Sequence, residues 1–212
     1  MVFFFPSLFS FHFFFSSIDF ILFYWYADLY HDSIFSSSIF SVALMDMETA
    51  LSSFPSSSSS SARWMYDVFL SFRGEDTRHN FLDHLFNALK EKGIHTFRDN
   101  EQLERGKSIS PELLKAIEES RFAIVILSKN YASSTWCLDE LTKIIACKED
   151  LGMKVLPIFH YIEPSDARQQ MGTFAEPFVE YKKKENKERV EKWRDALRQV
   201  GNLAGWHLKN TR

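Results

Sequence analysis

The 212-residue chain sets 25 Lys and Arg against 28 Asp and Glu, a formal net charge of −3, and is 45% hydrophobic and 25% charged. That length holds one ordinary domain with a tail and buries a sizeable core; two full domains would be crowded. The near balance of charge excludes an electrostatic footprint for nucleic acid, while 22 Phe are too many for an evenly built soluble domain.

Thirteen of those Phe precede Arg63, in a stretch with no Lys or Arg, so every basic residue lies from Arg63 onward. Asp19, Asp28, Asp32, Asp46 and Glu48 belong to the same stretch, which leaves 23 acidic residues opposite the 25 basic ones. Residues 1–44 are rich in Phe and Ser. A signal peptide needs a positively charged start, which is missing, and a spanning helix needs about 20 uncharged apolar residues. His12, Asp19 and Asp28 interrupt the run, so a membrane role is not expected. The expected functional start is Met45 or Met47. Residues 1–44 are then upstream sequence without function, 45–63 a flexible Ser-rich arm, 64–208 the folded domain and 209–212 a tail.

From Tyr66 the chain alternates short β-branched or aromatic runs with longer amphipathic ones, the pattern of β-α-β units and a parallel sheet. A strand is predicted over Asp67–Ser71, then a helix from Thr77 to Lys92 with Phe81, Leu85 and Leu89 inward and Gly93 as its stop. A short strand follows at Ile94–Phe97, and then a polar loop, RDNEQLERGKSI, longer than most β-α connections. Ser110 caps the next helix, Pro111 opens it, and Leu113, Leu114 and Ile117 form its inner face.

Phe122–Leu127 is apolar throughout and should be a central strand covered on both sides. A helix over Ser134–Cys147 turns Cys137, Leu141, Ile144 and Ile145 inward, and a fourth strand spans Lys154–Phe159. A loop containing Pro164 and Asp166 leads to helices over Gly172–Lys184 and Asn186–Leu203. A fifth strand is either a short edge around Trp206 or an irregular segment. The fold class is α/β, a flavodoxin-like doubly wound parallel five-stranded sheet with about five helices. In such sheets ligands sit outside the carboxyl ends of the strands, at the switch point. Cys137 and Cys147 lie ten apart on one predicted helix, cannot pair without unwinding it, and point to a reducing compartment. They have no companions at metal-ligand spacing, so no metal is expected.

The strings YDVFLSFRGEDTRHNFLDHLFNALKEKGIHTFRD, ERGKSISPELLKAIEESRFAIVILSKNYASSTWCLDEL and VLPIFHYIEPSDARQQMGTFAEPF resemble, in order, the plant Toll/interleukin-1 receptor (TIR) domain, found in nucleotide-binding leucine-rich-repeat disease resistance proteins and in TIR-only proteins. The resemblance covers roughly Tyr66 to Leu208. It implies NAD+ nucleosidase activity switched on by self-association, release of nicotinamide and ADP-ribose-type signals, and a role in plant immune signalling and cell death. NAD+ is then the substrate, with no tightly bound cofactor. Partners would be other TIR domains and downstream immune receptors, with no nucleic acid, in the cytoplasm and also the nucleus. The chain departs from the family's usual YDVDPSDVR at His160, Tyr161, Ile162, Glu163 and Ala167, read as a surface loop. It is expected to be a TIR-only protein or a fragment of a larger receptor.

Splitting the nicotinamide glycosidic bond passes through an oxocarbenium-like ribose, which a nearby carboxylate stabilises. The family's WCLxEL motif maps that role onto Glu140. At about 100° per residue, Glu140 falls on the helix flank beside Trp136, four residues earlier, with Asp139 farther out as a surface charge. Without the motif, a Glu in that place is a solvated residue. Phe72, Arg73, Gly74 and Arg78 belong to the family's ligand region, where Gly permits close approach and Arg grips phosphate. Read on its own, Arg73 is a loop arginine paired with Glu75 or Asp76. Asp99 is a further ligand-region candidate. Arg105 and Lys107 lie in the long loop, which in the family inserts beside a neighbouring subunit's pocket, so one protomer lacks a complete site. His84 matches a self-association position whose usual small hydroxyl neighbour is Asp83 here, and Gly205 lies near another interface. The competing reading is a non-enzymatic adaptor acting through TIR–TIR contacts. A nucleic-acid-associated TIR making cyclic nucleotides finds no basic stripe here.

Overall fold

The structure, a computed structural model, describes residues 64–77, 81–98 and 110–208. Five parallel strands run in the order β2-β1-β3-β4-β5: β1 is Tyr66–Phe72, β2 Thr96–Arg98, β3 Ser120–Leu127, β4 Lys154–His160 and β5 Trp206–Leu208. Among the described residues six α-helices are longer than one turn. They are α2 (Phe81–Glu91), α3 (Pro111–Glu118), α4 (Thr135–Leu151), α5 (Pro164–Gln169), α6 (Ala175–Lys184) and α7 (Lys187–Val200). A four-residue helix, α1 (Gly74–Thr77), follows β1 directly. The doubly wound class read from the sequence is the one observed.

β3 is central because it has no polar edge to show. Ala123, Val125 and Leu127 face one core together with Leu138, Leu141 and Ile144 of α4 and Trp193 of α7. Strand alternation sends Phe122, Ile124 and Ile126 to the opposite face, where they are also buried. Burying a side chain of this size stabilises the fold by about 1.5–3 kcal/mol.

Local chemistry sets the helix ends. Ser110 Oγ accepts from the Leu113 N–H at 3.2 Å ahead of Pro111, and Ser134 Oγ accepts from the Cys137 N–H at 3.3 Å. Gly152 closes α4 in the left-handed region at φ 74°.

Several expectations need correction. On α2 the buried residues are Leu82, Leu85 and Leu89; Phe81 is half-buried, its ring 5.5 Å from that of His160. On α3 Ala116 takes the inner position assigned to Leu114, because the core-facing stripe is narrow where the helix packs on β3. The region of Pro164 and Asp166 is a helix, since Pro supplies the fixed φ of a first turn. The fifth strand is a three-residue edge pairing Trp206 with Ile158, and Leu208 with His160.

Candidate functional site

The sheet order reverses between β1 and β3, whose last residues run side by side, Phe72 beside Ile126. Chain leaving β1, chain leaving β3 and the first turns of α4 therefore converge outside one edge of the sheet, the switch-point crevice of this architecture.

Glu140 lies at the base of that convergence, 4% exposed. Its Oε2 accepts from Ser71 Oγ at 2.8 Å, and Ser71, fully buried near the end of β1, sits 2.9 Å from Tyr131 Oη. Tyr131 also donates to the Cys137 carbonyl at 3.0 Å. The expectation of a flank position for Glu140 is thus corrected: it follows Cys137 by three residues and precedes Ile144 by four, so it shares the inner face. Its partner Ser71 lies 69 residues away in sequence, which no helical wheel shows.

Burial first, with the ionisable Cys137 and then Glu140 beside it, pushes the Tyr131 phenol far above its ordinary range. Burial, with Glu140 next, also drives the Cys137 thiol upward. Cys137 thus stays a thiol against the Phe72 carbonyl, 3.5 Å away, and offers no nucleophile. Trp136, half-buried, packs against the core from the first turn of α4.

The lip of the crevice is built around Asp76. Arg73 pairs with Glu75 and, at 2.6 Å, with Asp76 Oδ1. Asp76 Oδ2 accepts from Ser128 Oγ at 2.6 Å and from the Asn130 N–H at 3.0 Å, and Oδ1 from Asn130 Nδ2 at 3.2 Å. Burial opposes ionisation of Asp76, but the bonds from Ser128 and Asn130 and the Arg73 charge outweigh it and hold the carboxyl below its ordinary value. The sequence reading named Asp76 only as an alternative partner of Arg73. It missed that the residue ties the loop after β1 to the loop after β3. Gly74 opens α1, whose Thr77 Oγ1 donates back to the Arg73 carbonyl at 3.1 Å.

Asp139, expected as a surface charge, instead clamps α4 to α7. Its carboxylate accepts from Arg189 Nε at 3.2 Å and from Trp193 Nε1 at 2.7 Å. His160 is half-buried, and that burial lowers its basicity against the pull of the Asp76 charge. Of the segment read as a surface loop, Tyr161, Ile162 and Glu163 do connect β4 to α5, whereas His160 ends β4 and Ala167 lies within α5. Ile162 and Ala167 are buried there, while Tyr161 is exposed at φ 57°.

Of the self-association residues, His84 is half-buried on α2, and Asp83 bonds to Arg98 of β2 at 2.7 Å. A Cβ at Gly205 would lie 2.3 Å from the Pro157 carbonyl, so glycine there lets β5 approach β4. Arg78, Asp99, Arg105 and Lys107 lie outside the described residues.

The model of the TIR domain matches residues 65–212. The chain belongs to the TIR domain family. It is 56% identical over 167 residues to disease resistance protein RPV1 of Vitis rotundifolia, covering 76% of this chain and 12% of that protein. It is 54% identical over 151 residues to TMV resistance protein N of Nicotiana glutinosa, covering 70% and 13%. Among solved structures, the TIR domains of the activated Roq1 resistosome recognising the effector XopQ align at 56% identity with a TM-score of 0.62, over 69% of this chain and 89% of that one. This TIR domain is therefore of the plant resistance-protein kind, and the chain spans about an eighth of the length of the curated relatives it matches.

Proposed function

We propose that this TIR domain is an NAD+ nucleosidase switched on by self-association, acting in plant immune signalling and cell death. The observation that carries this reading is the Glu140 carboxylate, buried at the switch-point crevice with one oxygen held by Ser71. Such a carboxylate can stabilise the positive charge that develops on the ribose as the C1′–nitrogen bond to nicotinamide breaks. Burial strengthens that attraction relative to water.

Phe72, Arg73, Gly74, Arg78, Asp99 and Trp136 are proposed to bind the substrate around Glu140. Arg73 would exchange its pairing with Glu75 and Asp76 for contact with the pyrophosphate. Asp83, His84 and Gly205 are proposed as self-association positions. The relatives are named disease resistance proteins and the Roq1 structure is an assembled resistosome, which supports assembly with other TIR domains and action upstream of immune receptors. Among the described residues no helix is long and apolar enough to cross a membrane, and the proposed location is the cytoplasm and nucleus.

Replacing Glu140→Ala should abolish NAD+ consumption while circular dichroism and the melting temperature remain those of a folded domain. Undiminished turnover in that variant would remove the assignment. Concentration-dependent association of the wild type without nicotinamide release would leave an adaptor acting through TIR–TIR contacts.

A further inference from the structure

Glu140, Ser71, Tyr131 and the Cys137 carbonyl form a line of oxygen atoms with separations of 2.8, 2.9 and 3.0 Å. Each hydroxyl carries one proton, so with Glu140 ionised the three contacts share two protons. Ser71 then donates to Glu140, and the Tyr131 proton serves either Ser71 or the Cys137 carbonyl. A third proton, placed on Glu140, completes the line: the carboxyl donates to Ser71 Oγ, Ser71 to Tyr131 Oη, and Tyr131 to the Cys137 carbonyl. Tyr131, fully buried, reaches across to both Ser71 and the first turn of α4.

Hydrolysis of the glycosidic bond releases one proton that must go somewhere. The C1′–nitrogen bond breaks with its electron pair staying on nicotinamide, which leaves neutral; a water oxygen bonds to C1′ and sheds a proton. We propose that Glu140 takes up that proton on Oε2, the oxygen facing Ser71, and that Ser71 and Tyr131 are positioning residues that reverse their donor direction to make room for it. Ser71 turns its hydrogen from Glu140 to Tyr131, and Tyr131 commits its own to the Cys137 carbonyl. Product departure returns the proton to solvent and resets the line. This rests on the NAD+-cleaving reading above.

The test uses the full 212-residue chain tethered at high density, with steady-state nicotinamide release measured for the wild type, Ser71→Ala, Tyr131→Phe and Glu140→Ala. Ser71→Ala should lower kcat about tenfold or more and Tyr131→Phe about threefold to tenfold, the scale of one lost hydrogen bond to a charged or neutral group, with KM within about twofold. The acid limb of the wild-type kcat–pH profile, which reports protonation of Glu140, should move to lower pH in Tyr131→Phe, because Ser71 then lacks the acceptor that lets it turn away from the carboxylate. Unchanged kcat in both variants, losses confined to KM, or a pH profile that Tyr131→Phe leaves in place overturns the relay. Should Ser71→Ala fail to fold, the Tyr131→Phe comparison decides alone, since it removes a single oxygen. A wild type that releases no nicotinamide overturns the underlying reading and the relay with it; an active wild type indifferent to both variants overturns the relay only.

Discussion

Asp76 shows how much one carboxylate can organise. Arg73, Ser128 and both nitrogens of Asn130 donate to it, so the loops after β1 and β3 are held at a common point beside Glu140. Asp76→Ala should remove those bonds and strand their donors, costing about 1–3 kcal/mol, read from the denaturant midpoint. The pH dependence follows from the direction of its titration. The folded state holds the carboxyl below its ordinary value of 3.8, so the unfolded chain takes up the proton first. The contribution is complete above the ordinary carboxylate range and fades as pH falls through the lower folded value. Wild-type stability should therefore drop more steeply than that of Asp76→Ala as the solution is acidified below about pH 5, and parallel curves would contradict this. Glu140 could be named from its motif, and the pairing of Arg73 from its neighbours Glu75 and Asp76. The burial of Glu140 and the reach of Asp76 could not, because Ser71, Ser128 and Asn130 approach only once β1 and β3 lie side by side.

At the scale of elements, α4 serves two faces at once. Glu140 looks toward β1, while the adjacent Asp139 grips Arg189 and Trp193 of α7. Asp139→Ala would leave the indole N–H of the buried Trp193 without its acceptor. A loss of about 1–3 kcal/mol is expected, and a denaturation curve superimposable on wild type would refute the clamp. At the sheet edge, Gly205→Ala places a Cβ against the Pro157 carbonyl; an overpacking cost of about 1–3 kcal/mol should lower the melting temperature. The long elements were legible because their signals are local: the apolar run of β3, and the Ser110–Pro111 and Ser134 starts of α3 and α4. The short ones were not. α5 begins with a proline that also suits a turn, and β5 exists because Gly205 lets three residues settle against β4. The inner faces of α2 and α3 each differ from expectation in one residue, Leu82 for Phe81 and Ala116 for Leu114, since which residue of an amphipathic stripe points fully inward depends on the packing of the helix against the sheet.

For the molecule as a whole, the claim is that a TIR domain with a buried carboxylate at its switch point becomes a working site when copies assemble. The described residues that would form one side of the proposed site stand on β1, the chain after β3, and α4. The family resemblance was readable over residues 66–208 because its motifs are long and ordered, and the family model matches 65–212. What could not be read was which charges distant in sequence are paired within one chain, as Asp83 is with Arg98, 15 residues on. The most direct measurement is nicotinamide release per chain as a function of local density, for wild type and Glu140→Ala tethered to a surface. Release that is negligible for dispersed wild-type chains, rises steeply with density and is lost at every density in Glu140→Ala is the predicted result. Release independent of density, or equal in the two proteins, would contradict it.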